Sequence, residues 1–289
     1  MKFLIIFTAW FLQWRFPEKK RRAPKRVFVS YLGLWKRVPI FLRLNSLLQY
    51  SLVVVIPSLI LAYGFYLMDS KLWGLGNYFL ESFMLFFVLM HADTRQHVHH
   101  YREAILASDI MKAYECARQH LSLPNSVMAN PSVMNEQVIR ALLYRWFEYF
   151  FLILFWYLLL DMAGLFLAWF TVMYSKIAKH NKIALRALYF IEYIPLRLLA
   201  LTYGLAGNFM AIWPEWKKCL WKPCAHKELL FSCANLALKH NEIERHWHDA
   251  VQDSQAAVQD LDEWLRLQGR VVSIWLVVIA IATLSGWLI

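Results

Sequence analysis

Apolar residues recur in long runs along this chain, and a run of about 20 is long enough to cross a membrane as a helix. Residues 44–67 and 271–289 contain no charged side chain, and residues 72–90 are interrupted only by Glu81. We interpret the first two as spans. Residues 72–90 are either a further span that forms a hairpin with the first or a segment that lies partly in the interface. The shorter run at residues 3–12 predicts an interfacial or half-inserted helix. The pattern as a whole predicts an all-α polytopic membrane protein.

The longest apolar run, residues 147–174, carries two carboxylates, Glu148 and Asp161. As one helix it would reach about 42 Å, well beyond a hydrocarbon core of about 30 Å. We therefore expect either one steeply tilted span or, preferably, two half-helices that meet at residues 161–164 (DMAG). Basic residues such as Lys176 flank the run, and cytoplasmic segments carry an excess of such residues. This favours a re-entrant hairpin that enters and leaves the membrane on one side.

A further run, residues 189–213, is apolar except for Glu192 and Arg197. Charged side chains at membrane depth are costly and usually functional. One hypothesis is that Arg197 meets Asp161 or Glu148 and that the resulting pocket accepts a polar ligand. The alternative is a structural ion pair that locks two half-inserted helices together.

Three polar segments separate or flank the apolar runs. Residues 15–43 hold ten Lys or Arg and one acid, which predicts a basic juxtamembrane tract on the cytoplasmic face. Residues 91–145 and 214–270 have mixed charge and predict a cytosolic helical insertion and a polar helical segment. Because the net charge of +11 is concentrated beside apolar runs, it indicates membrane orientation and not nucleic-acid binding. We expect a single membrane domain over residues 1–289.

The densest group of titratable side chains lies at residues 95–101 and includes Arg95, His97, His99 and Tyr101. Guanidinium groups hold phosphate or carboxylate well, and imidazole can bind a ligand or transfer a proton. The alternative is that these histidines are structural or contact lipid headgroups. Neighbouring histidines without cysteine are weak evidence for a metal, and we predict no metal site here.

The cysteines are few and unevenly spaced, which does not suggest a secreted disulfide framework. We expect reduced, structural thiols at Cys116, Cys219, Cys224 and Cys233. The spacing of the last three relative to His226 matches no standard zinc pattern. No cofactor can be assigned from these motifs.

Three stretches of the chain resemble a known family, both in their residues and in their order. They are the run Arg95, His97, His99 and Tyr101 followed by Asp109, the segment Glu192, Pro195 and Arg197, and the terminal uncharged span. Together they resemble the AmpE family of proteobacterial inner-membrane proteins, which is distantly similar to the CobD/CbiB membrane proteins of cobalamin biosynthesis. The likeness extends over nearly the whole chain.

The resemblance implies a multi-pass protein of the bacterial inner membrane that acts in the system linking cell-wall recycling to inducible β-lactamase. It implies a sensor or modulator more than an enzyme, and it supplies no catalytic residue. The partners it implies are the lipid bilayer, a cytosolic AmpD-type amidase and a muropeptide-like ligand.

From the charge pattern and this resemblance we expect one polar ligand site facing the cytosol. Its predicted residues are Glu148, Asp161, Glu192 and Arg197 at depth, with Arg95, His97, His99, Tyr101 and Asp109 at the mouth. Such a site could hold a phosphorylated or carboxylated metabolite of wall recycling.

Two alternatives stay open. One is a membrane synthase like those of cobalamin biosynthesis, although the sequence has no G-x-x-x-x-G-K-[ST] phosphate loop. The other is a transporter of a wall-derived metabolite, although no internal repeat is evident.

Overall fold

A computed structural model describes residues 2–15, 23–37, 39–69, 75–89, 95–121, 131–221, 224–238 and 250–286. Every regular element within these ranges is helical, which confirms the all-α prediction. The chain forms two compact units. The first unit comprises Met1–Asp93, Phe147–Pro195 and Ile279–Ile289, and the second comprises Thr94–Trp146 and Leu196–Val278.

The helices of the amino-terminal part belong to the first unit. They are α1 (Lys2–Arg15), α2 (Ala23–Lys36), α3 (Pro39–Arg43), α4 (Ser46–Tyr50), α5 (Ile56–Asp69) and α6 (Leu75–Leu89), with a π-helical turn, Ser51–Val55, joining α4 to α5.

The remaining helices alternate between the units. They are α7 (Arg95–Leu106), α8 (Ile110–Leu121), α9 (Pro131–Trp146), a π-helical turn (Phe147–Phe151), α10 (Leu152–Ile177), α11 (Lys182–Ala206), α12 (Phe209–Trp221), α13 (His226–Ala237) and α14 (Ala250–Leu284).

Among the described residues, three helical stretches are long and apolar enough to cross a membrane: Ser46–Met68, Val133–Ile177 and Gln255–Leu284. The first and third contain most of the uncharged runs interpreted as spans in the sequence. The predicted span at residues 72–90 corresponds to Gly76–Leu89, which is apolar but shorter. The chain is therefore a membrane protein, as its hydrophobic pattern predicts.

Helix α1 packs along α6 in the first unit. The Tyr78 hydroxyl donates to the Leu4 carbonyl at 3.3 Å, and the Thr8 hydroxyl donates to the Ser82 hydroxyl at 3.1 Å. Contacts advance by four residues in the same direction along both helices, so the two helices run parallel. The run at residues 3–12 is thus part of a packed helix pair, and the prediction that it is interfacial or half-inserted stays a prediction.

The run at residues 147–177 folds as an antiparallel helical hairpin. Lys176 forms an ion pair with Glu148, and its ammonium lies 4.3 Å from the ring centroid of Tyr149. In a straight helix Glu148 and Lys176 would lie about 42 Å apart. Nearer the bend, Gly164 packs against the carbonyl of Trp156. Because both ends of the hairpin meet, the preferred interpretation of two half-helices is confirmed.

The second arm of this hairpin, residues 162–177, packs against α5 and the turn that precedes it. The Tyr50 and Thr171 hydroxyls are 3.0 Å apart, and the ring centroids of Phe65 and Phe166 are 5.9 Å apart. Asn181, just beyond the hairpin, donates to the Ser46 carbonyl at 3.2 Å. These contacts hold both hairpin ends beside the start of α4.

Helix α14 packs along several helices of the second unit. Phe231 of α13 stacks on Trp264 of α14 with a centroid separation of 5.8 Å, and the Arg140 guanidinium of α9 lies 4.5 Å from the Phe231 ring. The Trp275 indole donates to the Thr202 hydroxyl at 3.1 Å. The polar half of α14, predicted as a polar helical segment, therefore supplies core contacts as well as surface.

The expectation of four reduced thiols is wrong for two of the cysteines. Cys219 and Cys224 form a disulfide, with their Cα atoms 5.8 Å apart, while Cys116 and Cys233 are free. The bond joins Cys219, near the end of α12, to Cys224, just before α13. Spacing along the sequence does not determine which cysteines pair, so only the tertiary structure reveals the bond.

Candidate functional site: a polar cluster at the hairpin tip

The hairpin bends at two residues whose backbone is not helical. Leu160 has φ −124° and ψ 16°, and Asp161 has φ 53° and ψ −142°. A positive φ is uncommon for a residue with a side chain, and such strain often marks a functional position. The Asp161 side chain is 64% exposed, and its carboxylate lies 2.6 Å from the Lys2 ammonium.

A second carboxylate, Glu81 of α6, lies close to this bend. The Tyr157 hydroxyl donates to Glu81 Oε2 at 3.2 Å, and the Asn77 amide donates to Oε1 at 3.1 Å. Tyr157 is fully buried and precedes Asp161 by four residues in the first arm. We refer to Lys2, Asn77, Glu81, Tyr157 and Asp161 as the tip cluster.

The tip cluster combines two acids with one ammonium and two neutral donors. Asp161 pairs with Lys2, and Glu81 accepts from Tyr157 and Asn77. Charged groups gathered at a strained bend of a membrane protein are a candidate functional site.

Glu148 lies at the other end of the first arm, in the π-helical turn at the hairpin base. Its side chain is 4% exposed and pairs with Lys176. Thirteen helical residues separate it from Asp161, which corresponds to about 20 Å. The prediction that Glu148 and Asp161 belong to one pocket is therefore wrong in its geometry, because a single helical arm holds them apart.

Glu192 and Arg197 are both buried within α11. The carbonyl of Ile191, next to Glu192, accepts from the Trp156 indole at 3.1 Å. Within the second unit, Arg197 Nη2 donates to the Cys219 carbonyl at 2.7 Å, and the Trp216 indole donates to the Arg197 carbonyl at 2.9 Å. The cations placed beside Asp161 and Glu148 are Lys2 and Lys176, which the sequence hypothesis did not propose. The meeting of Arg197 with either carboxylate stays a prediction.

Four residues between 95 and 101 were predicted as site residues. The structure describes the side chains of two of them, Tyr101 and His99. The Tyr101 hydroxyl is buried and donates to Asn135 Oδ1 at 3.2 Å, and burial raises its pKa. It therefore packs α7 onto α9. His99 is exposed, with Nδ1 3.4 Å from Glu103 Oε2. The predictions for Arg95 and His97 fall on side chains outside those described.

Asp109 caps a helix. Its carboxylate Oδ1 accepts from the Lys112 backbone N–H at 3.0 Å, at the first turn of α8. Ser108, just before it, has a φ of 56°. A ligand-binding role for Asp109 stays a prediction, but the cap already accounts for an acid at this position.

The cap gives a testable consequence. Asp109→Ala should lower the free energy of unfolding by about 1 kcal/mol, because a helix N–H loses its acceptor. Asp109→Ser should cost less, since it keeps an oxygen acceptor. Denaturant unfolding in detergent, followed by circular dichroism, measures both. The control is Glu115→Ala on the exposed side of α8, and equal stability of all three variants would contradict the cap.

A family model described as "Regulatory signalling modulator protein AmpE" matches residues 34–289, nearly the whole chain. The chain belongs to the AmpE family. No curated protein and no solved structure matches it. This match confirms the family that the sequence motifs indicated. The family description is regulatory, and the long apolar helices agree with a membrane protein.

The AmpE match begins at residue 34, so Lys2, the partner of Asp161, lies outside the matched residues. Sequence reasoning also did not select Lys2, Asn77 or Tyr157 as site residues. One signal could have found Asn77, because it precedes Glu81 by four residues and such pairs meet on a helix face. No local signal pairs Lys2 with an acid this far along the chain.

Proposed function

We propose that this AmpE-family chain is an inner-membrane sensor or regulatory modulator that links cell-wall recycling to β-lactamase induction. The family description supports regulation, and the long apolar helices support a membrane location. The proposed ligand is a phosphorylated or carboxylated metabolite of wall recycling, a muropeptide-like molecule. The proposed partner is a cytosolic AmpD-type amidase.

One structural observation supports the sensing role more than any other, namely the strained, charged tip of the 147–177 hairpin. A sensor needs an element with two arrangements whose balance a ligand can shift. Asp161 holds an uncommon backbone conformation next to the Lys2 ammonium, and Glu81 lies nearby and accepts from Tyr157 and Asn77. A change of charge at either acid would change the contacts that hold the tip.

Asp161→Gly separates function from folding. Glycine adopts positive φ without steric cost, so this variant keeps the backbone of the bend and removes only the carboxylate. We expect normal amounts of membrane-inserted protein and a loss of β-lactamase induction to the level of a deletion strain. The measurement is β-lactamase activity after β-lactam exposure, in a deletion strain that carries each variant.

Two further variants make this test decisive. Glu81→Gln keeps the size of the side chain and one acceptor oxygen but removes the charge, and we expect it to reduce induction as well. Glu115→Gln, an exposed change on α8, should leave induction unchanged. Normal induction by Asp161→Gly at normal abundance would exclude a role for the tip carboxylate in regulation.

A carrier is the second candidate, because discontinuous membrane helices form the substrate sites of many secondary transporters. The broken hairpin is such an element. Uptake of labelled anhydromuramyl peptides into vesicles tests this function. Uptake above that of empty vesicles, abolished by Asp161→Gly, would favour the carrier, and no uptake together with altered induction favours the modulator.

A further inference from the structure

One face of α7 is exposed and carries three possible metal ligands. The opposite face packs into the second unit through Val98, Tyr101 and Ile105. His99, His100 and Glu103 lie on the exposed face, with 69%, 65% and 61% of their side-chain surface accessible. Residues three and four apart meet on one side of a helix, so Glu103 can approach both histidines.

The distances between these ligand atoms suit a metal ion. Glu103 Oε2 lies 3.4 Å from His99 Nδ1 and 3.5 Å from His100 Nδ1, and one ligand atom from each residue falls within 4.8 Å of the others. Bonds of about 2.0–2.1 Å in a tetrahedral set place neighbouring ligand atoms about 3.3 Å apart. The two edges that involve Glu103 are close to this length. The edge between the two imidazoles is at most 4.8 Å, and it can shorten because both rings are exposed and free to rotate.

The backbone that carries the ligands is well anchored. Arg102, between them, pairs with Asp262 of α14 at 2.8 Å. On the buried face, Tyr101 donates to Asn135, whose amide donates in turn to the Ala257 carbonyl at 3.3 Å. Ligands on a fixed helix lose little freedom when they bind an ion, which favours affinity.

The sequence alone predicted no metal at this position, because Glu103 was not part of the cluster considered there. We propose from the geometry of α7 that His99, His100 and Glu103 bind one divalent transition-metal ion, with Zn²⁺ the best match. Two imidazole nitrogens and one carboxylate form the donor set of many zinc sites that keep an open position. Because the face is exposed, water or an external anion such as a phosphate or carboxylate completes the coordination. The site does not depend on the regulatory role proposed above, since it rests only on the geometry of α7.

The same residues could instead form metal-free ion pairs, and a titration decides between the two. Full-length protein in detergent, with any purification tag removed, is titrated with Zn²⁺ by calorimetry and with Co²⁺ by visible absorption. We expect one ion per chain, a tetrahedral Co²⁺ spectrum and no thiolate charge-transfer band. The last feature separates this site from the free thiols Cys116 and Cys233.

Variants then assign the ligands. His100→Gln should weaken Zn²⁺ binding at least about tenfold, the loss typical even of groups that only orient a ligand. The triple variant His99→Ala/His100→Ala/Glu103→Ala should abolish binding, and its helicity should not change because all three side chains are exposed. His180→Ala, an exposed histidine elsewhere, is the matched control and should bind normally.

Two outcomes overturn the proposal. Zn²⁺ binding by the wild-type chain weaker than about 1 mM would leave only ion pairs on this face. Equal affinity and stoichiometry in the wild-type and triple-variant proteins would place the ion elsewhere in the chain.

Discussion

Replacing Gly164 with alanine should destabilise the protein by about 1–3 kcal/mol, the usual cost of inserting a methyl group into packed structure. A Cβ atom at this position would overlap the carbonyl group of Trp156 and lie 2.9 Å from the Cβ atom of Leu160. The Trp156 carbonyl is backbone of the opposite arm and cannot rotate away. The two arms would have to separate near the tip.

The matched control for this substitution is Gly64→Ala in α5. Nothing lies within 4 Å of a Cβ atom built there. Alanine is favoured over glycine inside helices by about 1 kcal/mol, so this variant should be neutral or more stable. The two substitutions are chemically identical, and their predicted effects have opposite signs.

Unfolding of both variants in mixed micelles of increasing SDS content, followed by loss of helicity, measures the difference. Equal or greater stability of Gly164→Ala relative to wild type would mean that the arms do not pack closely at the tip. The hairpin would then lose the contact that best distinguishes it from a tilted span.

The second large effect is expected from Lys176→Met at the hairpin base. This change removes the ammonium beside Glu148, a carboxylate whose side chain is only 4% exposed. Removing one partner of a buried pair usually costs 3–5 kcal/mol, but Lys176 itself is 39% exposed and therefore partly screened. We expect a loss of about 2–3 kcal/mol.

A double-mutant cycle shows whether the loss comes from the pair. Glu148→Gln removes the buried charge, so the double variant Glu148→Gln/Lys176→Met should be more stable than the sum of the single effects predicts, by about 1 kcal/mol or more. The control is Lys179→Met, which changes an exposed lysine just after the end of α10. This variant should have little effect. A coupling energy near zero would mean that the ion pair does not join the arms.

The class of protein and the broken hairpin could both be predicted from the linear pattern of residues. The apolar run at 147–174 is too long for one span and has cytoplasmic-type charge on both sides, and its most polar segment, DMAG, lies near the middle. These are local features that a linear pattern records directly. The helical break begins at Leu160 and Asp161, at the start of that segment. The order of short motifs along the chain also indicated the AmpE family, and the family match confirms this membership.

The partners of the charged groups became visible in the three-dimensional fold alone. Asp161 pairs with Lys2, Glu148 pairs with Lys176 and Cys219 bonds to Cys224, and the sequence predicted none of these three pairings. Hydrophobic periodicity fixes which residues enter lipid or core, because that depends on each residue and its near neighbours. The choice of partner depends on how helices far apart in sequence are packed, and a fixed helical arm of about 20 Å keeps the two carboxylates apart whatever their charge favours.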